Sequence, residues 1–486
     1  MTGPWNDSVE DVTVSNDGNI VQIDVVNEPI KVFDLALRKF ISYVGRDGQY
    51  IRVEPSREPV VTMPPNFGHG PGLNSTLIYT HPKREAPVRV ANGNVVIYTI
   101  RVYNEGTMAG FAAEIRDDLP AGIRFLPDHP INQRYEWNLY NVERNADGTV
   151  RSQTRTTNLA QATEARTRFL SFEQNGEIVR GTQNQRDSLM QPFDPGQPIR
   201  QPNSAAPNNS APWNPDFRDV QIAFLVVERE IPESNIDRII RNVAEITENQ
   251  DEDGNEVDDW DSDPDNDIHP EDDQDSEYIY LKYFDLALVK FVSTTSVTID
   301  GVTVTRNYGK PADDPWSDFI ARIPLTRDQI RRGHVEVEYT IRITNVGELA
   351  GSATEITDRF QHAQMEFMTE HATNIRYGWE QTSDNTIATR ILEDVVLQPG
   401  DSRDIRVVMR WRNSGDNLLR IQNISWISEY DNDYDAPDID RKNEEDDAWV
   451  VLTPPEGGAE VVIPVMGAVV TILVIGVFFI KRYVLV

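Results

Sequence analysis

Apolar and polar residues alternate along most of the chain. Ile100 and Val102 alternate with Thr99 and Arg101, and Ile341 and Ile343 with Thr340 and Arg342. A period of two sends successive side chains to opposite faces of a strand. Polar turn signals, such as Asn104–Gly106 and Leu119–Gly122, punctuate the runs. Short alternating strands with such turns, and no sustained helical period, predict antiparallel β-sandwiches. Thr326–Arg332 and Ala160–Phe169 are expected to be short helical turns. One stretch departs from the pattern: Val461–Ile480 is twenty mostly apolar residues without a charge, followed at once by Lys481 and Arg482. About 20 such residues cross a bilayer, and flanking positive residues favour the cytoplasmic side. The expectation is a single-pass membrane anchor with everything before it outside the cell.

The alternating blocks occur twice. FDLALRKF (Phe33–Phe40) returns as FDLALVKF (Phe284–Phe291), and YTIRVYNEGTMAG (Tyr98–Gly110) as YTIRITNVGELAG (Tyr339–Gly351). EIRD (Glu114–Asp117) returns as EITD (Glu355–Asp358), RYEW (Arg134–Trp137) as RYGW (Arg376–Trp379), and RNVAEITEN (Arg241–Asn249) as QNISWISEY (Gln422–Tyr430). The order is kept, so the chain reads as two copies of one domain. Trp137 and Asn242 lie 105 residues apart but Trp379 and Asn423 only 44, which gives the first copy 61 extra residues. The extra length includes Gly181–Pro215, whose Gln, Asn, Pro and Ser content is unsuited to a core. NIVQIDVVNEPIKV stands before the first copy as DSEYIYLKY stands before the second. That placement, and an opening without a basic-then-apolar leader, predict upstream repeats and a signal peptide beyond residue 1.

Strand parity exposes an anomaly. Phe33, Leu35, Leu37 and Lys39 share a face, as do Phe284, Leu286, Leu288 and Lys290. Asp117 shares a face with Ile115 and Phe111, and Asp358 with Ile356. Asn242 shares a face with Ile240, Ala244 and Ile246, and Asn423 with Ile421, Ser425 and Ile427. Each copy thus directs one Lys, one Asp and one Asn into its core. Buried charges must be paired or neutralised. One reading is a structural ion pair with an amide neighbour. The other is chemical: burial lowers a Lys pKa and raises an Asp pKa, so a neutral amine could attack the Asn carboxamide while the acid shuttles protons, leaving an amide cross-link. Glu114 and Glu355 are alternative acids, but parity sets them on the outer face unless a bulge reverses it.

These residues carry a resemblance. DLAL-x-K, then YTIRV-x-N-x-G-x-x-AG, then EIRDDLPAG and a closing NVAEIT resemble the bacterial surface repeat known as the conserved-repeat domain of unknown function. The likeness is to repeats of membrane-anchored surface proteins of Gram-positive, Clostridia-like bacteria, and LQPGDS (Leu397–Ser402) adds to it. It implies an extracellular Ig-like fold, and similar domains form Lys–Asn isopeptide bonds. Carried over by position, the lysine is Lys39 or Lys290, the acid Asp117 or Asp358, and the asparagine Asn242 or Asn423. The second copy departs from the pattern: Arg359, Phe360 and Gln361 follow its acid where Leu119 and Pro120 follow in the first.

Charge then refines the picture. The chain has 486 residues, a net charge of −33 and no cysteine. So acidic a chain is a poor partner for nucleic acid, and without cysteine there is no disulfide, Cys-ligated zinc or thiol chemistry. Glu248–Glu277 and Glu429–Asp447 together hold 24 of the 33 net negative charges, so the acidity reads as belonging to linkers. Asn249, Asp251, Asp253 and Gly254 have the opening spacing of an EF-hand loop, but position twelve is Trp260 rather than Glu. Calcium held less regularly by this stretch is the one cofactor the residues suggest; otherwise the run reads as a solvated, self-repelling linker.

There is no GxSxG, HExxH or P-loop, and Gly68–Gly72 is a lone Gly-rich loop with one histidine, so no turnover enzyme is expected. The predicted layout is an N-terminal segment over 1–30, a first Ig-like sandwich with a long insertion over 31–250, and an acidic linker over 251–282. A second sandwich over 283–430, an acidic juxtamembrane linker over 431–460, the span over 461–480 and a cytoplasmic tail over 481–486 complete it. The expected role is a cell-surface stalk. An adhesin for an extracellular or host ligand is the alternative, with Phe193, Trp213 and Phe217 of the insertion as candidate contacts.

Overall fold

The computed structural model describes residues 31–168, 171–174, 177–180, 189–200, 213–227, 238–267, 271–309, 319–412, 420–440 and 442–453. The predicted anchor Val461–Ile480 and the segment 1–30 lie outside these residues. Among the described residues no helix is long and apolar enough to cross a membrane. The described residues are all-β, with three helices of five or six residues, and the chain divides into two compact units that meet in sequence at Tyr283 and Phe284.

In the first unit six strands frame the core: β1 (Leu35–Arg46), β2 (Val95–Asn104), β3 (Gly110–Asp118), β4 (Phe217–Val226), β5 (Ile239–Asp251) and β6 (Gln274–Leu281). One sheet runs β4–β2–β1, extended by shorter strands at both edges; the other contains β3–β5–β6. Leu35 and Leu37 of β1, Ile100 of β2, Ile115 of β3, Ile222 of β4, Ile246 of β5 and Ile279 of β6 are buried in one core cluster. Every second residue faces inward, as in a sandwich of two antiparallel sheets.

The second unit repeats this frame with β7 (Leu286–Ile299), β8 (Gly333–Asn345), β9 (Ser352–Phe360), β10 (Ser402–Trp411), β11 (Arg420–Asp431) and β12 (Glu445–Thr453). One sheet contains β7–β8–β10 and the other β12–β11–β9, so the principal strand order matches that of the first unit. The recurrent RYxW block has a physical cause. In the preceding short helix, Asn132 or Asn374 is buried and donates to the carbonyl of Ala223 or Val408. Trp137 and Trp379 then donate Nε1–H to Gln221 and Arg406 at 2.8 Å.

Three expectations are corrected. The 251–282 segment is not a free linker, because β6 pairs antiparallel with β5. Several of its acids are docked: Glu277 is buried against Arg57, Asp275 pairs with Lys83, and Asp265 with Arg144 and Arg166. Likewise 431–460 contains β12, which pairs with β11. Each asparagine strand is therefore followed by one more strand of the same sandwich. Finally, Glu164–Thr167 is a strand rather than a helical turn, because Ala165 alternates into the core. The helix at Arg327–Arg332 does form, with Thr326 and Gln329 making a reciprocal capping box.

Two side chains of the insertion, Met190 and Phe193, are buried. Phe193 is buried with Val61, Leu77 and Tyr103 in a small second core, against which Phe217 lies partly buried, and Trp213 stacks beside Phe217 at 5.6 Å.

Candidate functional site

Lys39 projects from β1 across the gap between sheets, and Asp117 of β3 and Asn242 of β5 project back. The register pairs Ala244 with Asp117, which leaves Asn242 two residues along β5 on the same inward face. All three side chains are fully buried. Lys39 Nζ donates to Asp117 Oδ2 and to Asn242 Oδ1, so the trio that strand parity singled out meets in space. Asn242 Nδ2 donates to the Asp118 carbonyl at 2.7 Å, which orients the amide with its oxygen toward the amine. Asp117 Oδ1 has no partner among the described residues.

The surroundings set the protonation. Burial pushes the Lys39 amine below its ordinary value against the opposing pull of Asp117. Burial raises Asp117, and Lys39 opposes it. Both directions favour a neutral amine beside a neutral acid. The Tyr98 ring covers the amine at 4.8 Å from Nζ and is itself fully buried, keeping water from the site. Parity puts Tyr98 on the face of Ile100, so its part was legible in the YTIR block, though the sequence reading gave it none.

The second unit assembles the same three residue types differently. Lys290 Nζ donates to Asp358 Oδ2, as its counterpart does, but its next contact is Ser425 Oγ at 2.7 Å. Ser425 stands opposite Asp358 in the β9–β11 register, where the first unit has Ala244, and its hydroxyl also donates to Asp358 Oδ2 at 2.7 Å. Asn423 Nδ2 donates to Asp358 Oδ1 at 2.7 Å, and Asn423 Oδ1 has no partner among the described residues. Asp358 therefore bridges lysine and asparagine, which do not bond directly. Burial again lowers the lysine, with Asp358 opposing, and Tyr339 covers it at 5.0 Å.

The alternative acids sit elsewhere. Glu114 accepts from Arg166 at 3.0 Å and from Thr247 at 3.2 Å, and Glu355 from Arg390 at 2.9 Å. Both face outward, as parity predicts, despite a register shift beside each. Of the suggested calcium ligands, Asn249 is buried within β5. Asp251 accepts from the backbone N–H groups of Asp253 and Asn255 and from the Asn255 amide, closing its own turn. Asp253 is exposed. The acids whose oxygens converge are a different set.

No family model matches the chain, and no curated protein matches it in sequence. Solved structures give partial similarity. The C-terminal domain of the antigen I/II-family protein AspA of Streptococcus pyogenes is 7% identical over 87% of this chain and 99% of its own, with a TM-score of 0.25. The C-terminal domain of the AgI/II polypeptide BspA of Streptococcus agalactiae is 8% identical over 75% and 94%, at 0.24. A type I cohesin of Pseudobacteroides cellulosolvens is 6% identical over 36% and 99%, at 0.20.

Proposed function

We propose that the chain is a cell-surface structural protein whose tandem Ig-like sandwiches are each locked by a self-made Lys–Asn isopeptide bond, Lys39 to Asn242 and Lys290 to Asn423. The observation that carries this is Lys39, a fully buried amine bonded at once to an acid and to a carboxamide oxygen. The neutral amine attacks Asn242 Cγ, forming the Nζ–Cγ bond. Asp117 passes a proton to the departing Nδ2 and recovers one from Nζ, so ammonia leaves and the acid is regenerated. This occurs once per domain, without turnover.

The bond would join opposite sheets, β1 to β5, and so resist unfolding and proteolysis. The packing of Phe193 against Val61, Leu77 and Tyr103 favours a spacer over an adhesin surface built on those aromatics. In this reading the apolar run Val461–Ile480 anchors the chain in a membrane with the sandwiches outside.

Intact-mass spectrometry of the purified chain tests the chemistry. The expected mass is lower than the sequence mass by two ammonias, one of which Lys39→Ala restores. A mass equal to that of the sequence leaves only the ion pairs and overturns the cross-links.

A further inference from the structure

A second cluster in the first unit has no part in the cross-link. Asp34, just before β1, meets Asp259 and Asp261 from the acidic loop after β5 and Asp272 at the foot of β6. One oxygen from each carboxylate lies within 4.8 Å of the other three. Some of these groups are held: Asp259 Oδ2 accepts from Leu35 N at 2.9 Å, Asp261 Oδ2 from Ser75 at 2.5 Å, and His69 Nε2 lies 2.7 Å from Asp34 Oδ2. His69 is the lone histidine of the Gly-rich loop Gly68–Gly72, and its place beside Asp34 is structural.

Other oxygens are not held. Asp34 is fully buried, and its Oδ1 has no hydrogen-bond partner among the described residues. Both side-chain oxygens of Asp272 are likewise buried and unpartnered. Glu105 adds a fifth carboxylate nearby, engaged by Leu77 N and Tyr79. Against these stands Arg38, which spends one hydrogen bond on the Asp272 carbonyl. Burial and the neighbouring acids push Asp34 up to about 11, and burial above all holds Asp259 at about 7. Without a cation, Asp34 is thus held neutral, with its Oδ1 unpartnered among the described residues.

The second unit shows what compensation looks like. Leu286 N donates to Asp438 Oδ2 as Leu35 N does to Asp259 Oδ2, and Leu288 N to the Asn443 carbonyl as Leu37 N does to that of Asp272. Asp285, Asp438, Asp440 and Asn443 therefore occupy the places of Asp34, Asp259, Asp261 and Asp272. Where the first unit has a fourth acid, the second has an amide, and Asn443 Nδ2 donates to Asp285 Oδ1 at 2.9 Å. The amide satisfies there the carboxylate that stays unsatisfied in the first unit.

We infer that Asp34, Asp259, Asp261 and Asp272 form a site for one hard divalent cation of the calcium class, present in the first unit and replaced in the second by the Asn443 amide. All donors are oxygen, as calcium prefers. Ligands on opposite sides of a calcium ion lie about 4.6–5.2 Å apart, twice its bond length, so four oxygens all within 4.8 Å of one another can share one ion. The ion would tie the acidic loop to the start of β1. The site does not depend on the isopeptide bond.

Calorimetric titration of calcium chloride into the chelator-stripped full chain tests this. One ion per chain is expected, with affinity at least about a hundredfold weaker in Asp272→Asn and unchanged in Asp251→Asn. The converse variant, Asn443→Asp, should bind two. Absence of binding at millimolar calcium overturns the proposal, as does binding that survives Asp272→Asn or disappears with Asp251→Asn. Should Asp272→Asn fail to fold, Asn443→Asp decides alone: two ions uphold the site and one overturns it.

Discussion

The two units share a frame of six strands, and two of the differences between them bear on buried carboxylates. Where the first has Ala244, the second has Ser425; where the first has Asp272, the second has Asn443. Both changes do the same thing: they supply a hydrogen-bond donor to a buried carboxylate that otherwise depends on something stronger. Asp117 relies on Lys39 and keeps one oxygen unpartnered, whereas Asp358 has Lys290, Ser425 and Asn423. Side chains thus satisfy these carboxylates more fully in the second unit than in the first.

The largest effect should come from removing the lysines in turn. Lys39→Ala removes the proposed cross-link and the amine that meets Asp117, and should cost about 3–5 kcal/mol, as for a broken buried pair or a lost covalent tie. Lys290→Ala leaves Asp358 two donors and should cost about half as much. Hydrogen exchange of β1 and β7 amides measures both, and equal losses would break the comparison.

Next comes the serine. Ser425→Ala should free the Lys290 amine for Asn423 and speed ammonia loss from the second unit about tenfold, which corresponds to about 1.4 kcal/mol of barrier. Ala244→Ser should slow the first unit. Intact mass followed during refolding reads both rates, and no change in either would show that the hydroxyl is only packing.

A smaller effect concerns pH. A carboxyl raised above its unfolded 3.8 holds its proton more tightly when folded. Its contribution is therefore complete below about 3.8 and is lost as pH rises through the folded pKa, about 7 for Asp259. In chelator the melting temperature of the first unit should fall between pH 4 and 8, and calcium should cancel the fall. A melting temperature that rises over that range in chelator contradicts the acid cluster.

The smallest effect is on the outer face. Arg390→Ala removes exposed pairs with Glu355 and Glu429 and should cost very little stability. Arg166→Ala, buried against Glu114, Glu164 and Asp265, should cost several times as much by chemical denaturation.

The inward trio was legible because a period of two is a geometric rule: once Lys39, Asp117 and Asn242 sit on apolar faces of one sandwich, they have few places to go. Ser425 was visible on the right face but gained meaning only from its register opposite Asp358. Strands β6 and β12 were hidden by their acids, which read as solvated until Arg57, Lys83 and the Lys290 backbone N–H were seen to bind them. The four-aspartate cluster was out of reach for a different reason. Its members come from two loops, Asp34 before β1 and the other three between β5 and β6, far apart in sequence, and loops carry no periodicity to align them.

Lys39 and Asn242 are 203 residues apart. An extended residue adds about 3.4 Å, so their cross-link would remove about 700 Å from the length to which the chain can be drawn out. A tether built this way would lengthen only through the segments outside the closed loops. Because the insertion falls inside the closed loop, it can lengthen or shorten without altering the reach of the protein.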